Sequence, residues 1–126
     1  MLTGIYLLFV LALTRFKYAY GSELDWGGQH YAIPDYFRKL FYKTGDFFPS
    51  FAPNIGCGEN IYNLSYYGLY SPIILFSYLL PFVKMSTYIQ IVSIIGIIAS
   101  LWIFYIWMRQ KFTDNTAFAL SFVFLF

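Results

Sequence analysis

The distribution of charge constrains this sequence more than any other feature. Between Asn60 and Met108 the chain carries a single charge, Lys84, whereas five of its six acids and five of its eight bases lie between positions 15 and 59. Overall, 60% of the residues are hydrophobic and 11% are charged, against about a quarter charged in a typical soluble domain. The sequence therefore predicts an all-α membrane protein in which transmembrane helices frame one polar loop.

Several classes of protein are disfavoured by the same composition. A net charge of +2 without a basic run does not favour a nucleic-acid binder. The single cysteine, Cys57, forms neither an intramolecular disulfide nor a zinc cluster. The glycine pairs at 27–28 and 56–58 lack the spacing and the lysine of a phosphate-binding loop.

Three apolar segments are predicted to enter the membrane. The clearest is 88–108, the second transmembrane helix, which is uncharged and has Trp102 and Trp107 near its basic end. The first is 1–20, which spans about 20 residues if Arg15 and Lys17 reach towards the head groups. A cleaved signal peptide is the alternative for that segment, but no basic region precedes it. The third, 116–126, is the start of a truncated helix.

The apolar segment 62–83 has two open interpretations. Pro72 and Pro81 interrupt it, and each proline removes a backbone donor and tends to end or kink a helix. It is therefore either a short helix lying at the membrane interface or a kinked span. If it does not cross, the loop 21–87 is extracytoplasmic and the N-terminus is cytoplasmic, together with Arg109 and Lys111, by the preference of bases for the cytoplasmic side.

Within the loop, the segment from about 33 to 44 is predicted to form an amphipathic helix. Pro34 suits its first turn, and Gly45 is placed to end it. Its apolar face contains Ile33, Phe37, Leu40 and Phe41, whereas Arg38, Lys39 and Lys43 fall off that face. The helix either lies on a membrane with its bases near phosphates, or packs on the protein with a solvated basic face.

Candidate functional residues precede this helix. Asp25 follows the first predicted span, where proximity to lipid would desolvate a carboxylate and favour a general base. Gln29 lies four positions further and would share its face in a helix, although Gly27 and Gly28 favour an irregular turn. His30 is a candidate proton carrier, although a lone histidine is more often structural.

Further along the loop, Glu59 and Asn60 follow a turn-rich stretch that is able to return them to the same site. The tyrosines at 62, 66, 67 and 70 form either an interfacial belt or a surface for sugar stacking or lipid packing. No cofactor is predicted, although a divalent metal near Glu23 and Asp25 is left open because carboxylates are ligands for hard cations.

These residues resemble, in order, the N-terminus of the YfhO-like bacterial membrane proteins. The resemblance covers roughly 21–126 and includes the following features: Asp25 with Gln29, Tyr36-Phe37-Arg38, Gly45, Phe48-Pro49-Ser50, Gly56-Cys57-Gly58, Tyr66-Tyr67 and Ser71-Pro72. It implies the N-terminal part of a GT-C-like fold, with interfacial juxtamembrane helices in its first outer loop.

The resemblance also implies a function. The chain would be the N-terminal module of a polytopic glycosyltransferase that transfers sugar from a polyprenyl-phosphate carrier to a cell-envelope polymer such as lipoteichoic acid. Asp25 matches the family's catalytic acidic residue. Gln29, His30, Arg38, Glu59 and Asn60 are the candidate substrate-binding residues, with Arg38 the first choice for phosphate. Implied partners are membrane lipid, the lipid-linked sugar, the acceptor polymer and the remainder of the enzyme.

The alternative hypothesis is a small non-catalytic membrane subunit that serves a membrane partner, or an inactive truncated product. Family members are several times longer than this chain. Three apolar segments alone do not enclose a lipid-linked sugar and an acceptor away from water. Activity is therefore not expected from the 126 residues alone.

Overall fold

The computed structural model describes residues 1–14 and 23–124, without the side chain of Glu23. These residues are mostly helical, which is compatible with the all-α part of the predicted fold class. The chain divides into two compact units: Met1–Tyr20 with Gln90–Phe126, and Gly21–Ile89. The predicted role of Arg15 and Lys17 at the head groups lies outside the described residues.

The first unit contains helix α1 (Leu2–Leu13), most of helix α5 (Met85–Arg109) and helix α6 (Asp114–Val123). Tyr6, Val10 and Leu101 form its buried cluster. The indole Nε1 of Trp102 donates a hydrogen bond to the Thr3 hydroxyl at 2.9 Å. An apolar contact and a polar contact therefore both join α1 to α5.

Helix α5 is, within residues 1–14 and 23–124, the one helix long and apolar enough to cross a membrane. Its 25 residues span about 37 Å at 1.5 Å per residue, against a hydrocarbon core of about 30 Å. Helices α1 and α6 have 12 and 10 residues. Positions 15–20 of the predicted first span, and 125–126 of the predicted third, lie outside the described residues.

The second unit begins with a π-helix (Glu23–His30) and helix α2 (Ala32–Thr44). A short β-hairpin follows, in which each strand has two residues: strand β1 (Phe51–Ala52) pairs antiparallel with strand β2 (Glu59–Asn60). The remaining pieces are short: α3 (Ile61–Leu64), a 3₁₀ turn (Ser65–Tyr67), α4 (Pro72–Phe76) and a second 3₁₀ turn (Ser77–Leu79). The hairpin departs from the all-α expectation, and Cys57 takes a positive φ of 67° in its connection.

Helix α2 organises the core of this unit. Its predicted range was about 33 to 44, and in the structure Gly45 takes the left-handed conformation, with φ 76°, directly after Thr44. Phe37 is buried against Ala52 of β1, Ile61 of α3 and Leu69. The helix therefore packs on the protein with this face. Lys39 and Lys43 are exposed but Arg38 is buried, so the predicted solvated basic face is only partly present.

The segment 62–83 is not one continuous helix. It consists of helical pieces of three to five residues. Gly68, with φ 74°, ends the first 3₁₀ turn. Pro72 opens α4, and the Ser71 side chain accepts a hydrogen bond from the Ile74 amide at 3.3 Å. The breaks occur where glycine and proline interrupt the helical hydrogen bonds.

Candidate functional site

The π-helix positions three of the candidate residues predicted from the sequence. The Tyr31 amide donates to the Trp26 carbonyl five positions earlier, at 3.3 Å. This wide turn contains the two glycines for which an irregular turn was expected. Asp25, Gln29 and His30 are exposed along it. π-helical turns occur frequently at functional sites.

A chain of hydrogen bonds joins the π-helix to the turn after α3. The Tyr66 hydroxyl donates to the Tyr67 hydroxyl at 2.7 Å, and the Tyr67 hydroxyl donates to Oε1 of Gln29 at 2.8 Å. Gln29 and Tyr67 are 38 positions apart in the sequence. The fold therefore brings a tyrosine pair to the candidate residues, a contact that no local pattern in the sequence indicates.

Aromatic rings line the same place. The His30 ring meets the Tyr67 ring edge to face, with centroids 5.9 Å apart, and lies 6.3 Å from the Trp26 ring. The rings of Tyr66 and Tyr67 are 4.1 Å apart, and Tyr66 is 75% exposed. We define the aromatic–amide cluster as Asp25, Trp26, Gln29, His30, Tyr66 and Tyr67.

The electrostatics of the cluster keep Tyr67 protonated. Its pKa lies above the usual value, first because of the hydrogen bond with Tyr66 and then because of desolvation and the negative charges that Tyr66 and Asp25 can carry. Tyr67 is therefore a neutral hydrogen-bond donor at neutral pH. Asp25 is exposed, so the desolvation expected for its carboxylate has to come from a ligand or from lipid.

No family model, curated protein or solved structure matches this chain. The resemblance to the YfhO-like proteins therefore stays a prediction.

Arg38 is not on a solvated face, contrary to the sequence expectation. It is 5% exposed. Its guanidinium donates to the carbonyls of Ser77, Leu80 and Val83 at 3.4, 3.3 and 2.9 Å, and to Oδ1 of Asp35 at 3.3 Å. A planar guanidinium has enough donors for all of these acceptors. Because these hydrogen bonds within the fold occupy the Arg38 donors, the proposed substrate site does not include Arg38.

The side chains of Glu59 and Asn60 form hydrogen bonds within the local segment 59–63. Oε1 of Glu59 accepts hydrogen bonds from the Asn60 amide and, at 2.6 Å, from Nδ2 of Asn63. Oδ1 of Asn60 accepts from the Tyr62 amide at 2.9 Å and caps α3. Their hydrogen bonds give them a local structural role, and we leave them out of the aromatic–amide cluster.

The metal left open near Glu23 and Asp25 gains no ligand set from the structure. Among the residues that the structure describes, no three histidine, cysteine, aspartate or glutamate side chains come together to hold a metal ion. The Glu23 side chain lies outside the described residues.

Alkaline pH should destabilise the second unit, Gly21–Ile89, because Tyr78 ionises more readily in the unfolded chain than in the folded one. The ring packs against the rings of Phe41 and Phe47, and burial raises the pKa of Tyr78 to about 12. Because the unfolded phenol titrates near 10, stability is complete below about pH 10 and is lost as the pH rises towards 12. We expect Tyr78→Phe to flatten the fall of the free energy of unfolding over that range. Urea titrations at each pH measure the free energy of unfolding. Tyr62→Phe, at an exposed tyrosine, is the control.

Proposed function

We propose that this chain is a module of a polytopic membrane glycosyltransferase, which moves a sugar from a polyprenyl-phosphate carrier to a cell-envelope polymer such as lipoteichoic acid. The observation that carries the proposal is the hydrogen bond from the Tyr67 hydroxyl to Oε1 of Gln29, at 2.8 Å. It joins the segment bearing Asp25 to a pair of tyrosine rings. A carboxylate, an amide and open aromatic faces are thus within one cluster.

The side chains of the cluster suit a polyhydroxylated ligand. An exposed tyrosine ring, such as that of Tyr66, offers a flat face to the C–H bonds of a sugar ring. The amide of Gln29 and the imidazole of His30 both donate and accept hydrogen bonds, as sugar hydroxyls require. A few polar groups beside aromatic walls are the usual composition of a small-molecule site.

Asp25 is the proposed general base. Its carboxylate takes the proton of an acceptor hydroxyl while that oxygen attacks the anomeric carbon of the donor sugar. The bond between the anomeric carbon and the phosphate oxygen breaks, and the lipid phosphate leaves with the electron pair. The configuration at the anomeric carbon is inverted. A positioned base accounts for about 10²–10⁴ of the rate in such reactions.

The apolar surface of α5 supports a place in the membrane. Only 6% of its most apolar stretch of 18 residues is buried, whereas the core helix of a soluble protein would be mostly buried. Ile95 and Ile103 are 58% and 68% exposed. We propose that α5 spans the bilayer with Arg109 and Lys111 on the cytoplasmic side. The N-terminus is then cytoplasmic in a multi-pass protein, and loop 21–87 is extracytoplasmic.

The openness of the cluster also supports the alternative that the chain is a non-catalytic membrane subunit. Asp25, Gln29 and His30 are exposed, and a lipid-linked sugar held there is not enclosed by this chain alone. Either further helices of the same enzyme close the site, or the chain is a non-catalytic membrane subunit that presents the cluster to a partner. Purification of the natural protein with a stoichiometric larger membrane partner would favour the subunit.

Binding of the donor tests the proposal. In a Trp102→Phe/Trp107→Phe background, Trp26 is the one remaining tryptophan and reports on the cluster. Titrating a polyprenyl-phosphate sugar into the chain in nanodiscs should change its fluorescence with saturation. Gln29→Ala should weaken binding about tenfold or more, since a hydrogen-bonded polar group is lost. Asn63→Ala is the control. A fluorescence change that does not saturate, or a donor affinity that is equal in all variants, would refute the proposal.

A further inference from the structure

A row of apolar side chains lies exposed along the segment from α4 to the start of α5. Ile73, Phe76, Leu79 and Phe82 are 53%, 58%, 70% and 80% exposed, and we call them the apolar ridge. They recur at every third position, the spacing at which side chains eclipse in a 3₁₀ helix. Ile74, Ser77 and Tyr78, on the opposite side, are at most 8% exposed. The segment is thus apolar on its outer side as well as its inner side.

The Arg38 side chain holds the inner side of this segment. The three carbonyls that accept its hydrogen bonds belong to Ser77, Leu80 and Val83. Each is the residue directly after a ridge member, so the contacts repeat with the same period of three. The ridge therefore has a fixed backbone support, and its exposure is not that of a loose loop.

The ridge is tied to the first turn of α5. The Tyr88 hydroxyl donates to the Ile73 carbonyl at 2.5 Å, and Tyr88 is buried. At the other end, Phe82 precedes Met85, the first residue of α5, by three positions, which is at most about 11 Å of extended chain. Whatever surrounds the start of α5 therefore also reaches the ridge.

A basic pocket lies where the ridge meets α5. It has a volume of about 410 Å³, and its walls include Phe82 of the ridge together with Lys84, Lys39, Arg38 and Asp35. Arg38 is buried and its donors are engaged in the fold, so the cations that these walls offer to a ligand are Lys39 and Lys84. Lys84 is exposed, and Lys39 is 76% exposed although it pairs with Asp35 at 2.5 Å. The pocket is open to an anion.

We propose that the apolar ridge inserts into the leaflet at the start of α5, and that the basic pocket binds the phosphate of an anionic phospholipid there. Apolar side chains of an interfacial segment enter about 5–10 Å into the boundary between head groups and acyl chains, while bases remain at the phosphates. The arrangement of ridge and pocket matches that order. The inference rests on α5 as a membrane span, and not on the sugar chemistry.

Spin-label depth measurements on the full chain test this inference. Single cysteines at Phe76, Leu79 and Ile95 are introduced in a Cys57→Ser background, and the native Cys57, which is exposed, is the water reference. The chain is placed in nanodiscs of phosphatidylcholine with or without phosphatidylglycerol. Collision rates of each label with oxygen and with a water-soluble nickel complex give its depth.

The expected result is an oxygen-to-nickel ratio at 76 and 79 several-fold above that at Cys57, and highest with phosphatidylglycerol. Lys39→Gln and Lys84→Gln should each lower the ratio of lipid-embedded to water-exposed label at 79 about fivefold in the anionic discs, because each lysine contributes about 1 kcal/mol.

Two results would overturn the ridge proposal while Ile95 remains embedded. Labels at 76 and 79 that collide mainly with nickel would place the ridge in water. Labels shielded from both reagents would show a protein cover instead. If Ile95 itself is exposed to nickel, the proposed span fails and the ridge proposal with it, independently of any sugar-binding result.

Discussion

Asp25→Asn should reduce sugar transfer by about 10²–10⁴-fold in the complete enzyme that carries this sequence, because asparagine does not accept the acceptor's proton. Asparagine has nearly the same shape, and Asp25 is exposed, so expression and folding should be unchanged. Binding of the lipid-linked donor should also persist, because the aromatic rings and Gln29 remain. The measurement is single-turnover transfer of a labelled sugar from the polyprenyl phosphate.

Asp46→Asn is the matched control for this experiment. Asp46 is an exposed loop aspartate whose Oδ1 accepts a hydrogen bond from the Phe48 amide at 2.9 Å. An asparagine oxygen accepts the same bond, so the rate should stay within about twofold of the wild type. Full activity of Asp25→Asn would remove this carboxylate from the mechanism. Equal losses in both variants would indicate a general effect on folding.

Arg38→Met should produce the largest loss of stability. The substitution keeps an unbranched side chain but removes the Arg38 donors to the Ser77, Leu80 and Val83 carbonyls. It also removes one of the two cations that pair with Asp35. A hydrogen bond to a charged group contributes about 1.5–3 kcal/mol, and three carbonyls lose theirs. Hydrogen exchange of amides in 72–83 should accelerate by several orders of magnitude, because the support of that segment is lost.

Lys39→Met is the control on the same helix. Lys39 pairs with the same carboxylate, Asp35, but its side chain is 76% exposed. Exposed pairs contribute about 0–1 kcal/mol, so exchange in 72–83 should change by less than about tenfold. Arg38→Lys should recover part of the protection, because an ammonium keeps the charge but lacks the planar array of donors. If Arg38→Met behaves like Lys39→Met, the contacts of Arg38 do not support the segment.

The parts of the fold governed by local rules could be predicted from the sequence. The approximate range of α2 followed from Pro34, Gly45 and the spacing of its apolar residues. The uncharged stretch that forms α5 was evident from composition alone. In both cases the residues that decide the structure lie within one helix and its ends.

The π-helix and the division of 62–83 into short helical pieces were harder to predict from the sequence. Gly27 and Gly28 indicated an irregular turn, but a π-helical hydrogen-bond pattern is not distinguished by glycine content. Pro72 and Pro81 indicated breaks, yet Gly68 adds another, so the segment is divided into more pieces than the prolines alone predict. Several weak interruptions within a few residues decide the outcome together, and their sum is hard to predict.

The candidate site depended on contacts between distant residues. Asp25, Gln29 and His30 were identified by their types and position, but the hydrogen bond between Gln29 and Tyr67 joins residues 38 apart. The tyrosines were recognised as a group with two possible roles, and sequence alone did not choose Tyr66 and Tyr67. The burial of Arg38 was missed for a similar reason, since its acceptors are backbone carbonyls, which every sequence contains.

Photo-crosslinking tests the central claim, that the aromatic–amide cluster holds a lipid-linked sugar, most directly. A polyprenyl-phosphate sugar with a diazirine on the sugar ring is irradiated with the full chain in nanodiscs, and the adducts are mapped by mass spectrometry. We predict adducts within residues 25–30 and on Tyr66 or Tyr67, which excess unlabelled donor suppresses. Adducts confined to other segments, or adducts that the excess donor does not suppress, would contradict the account.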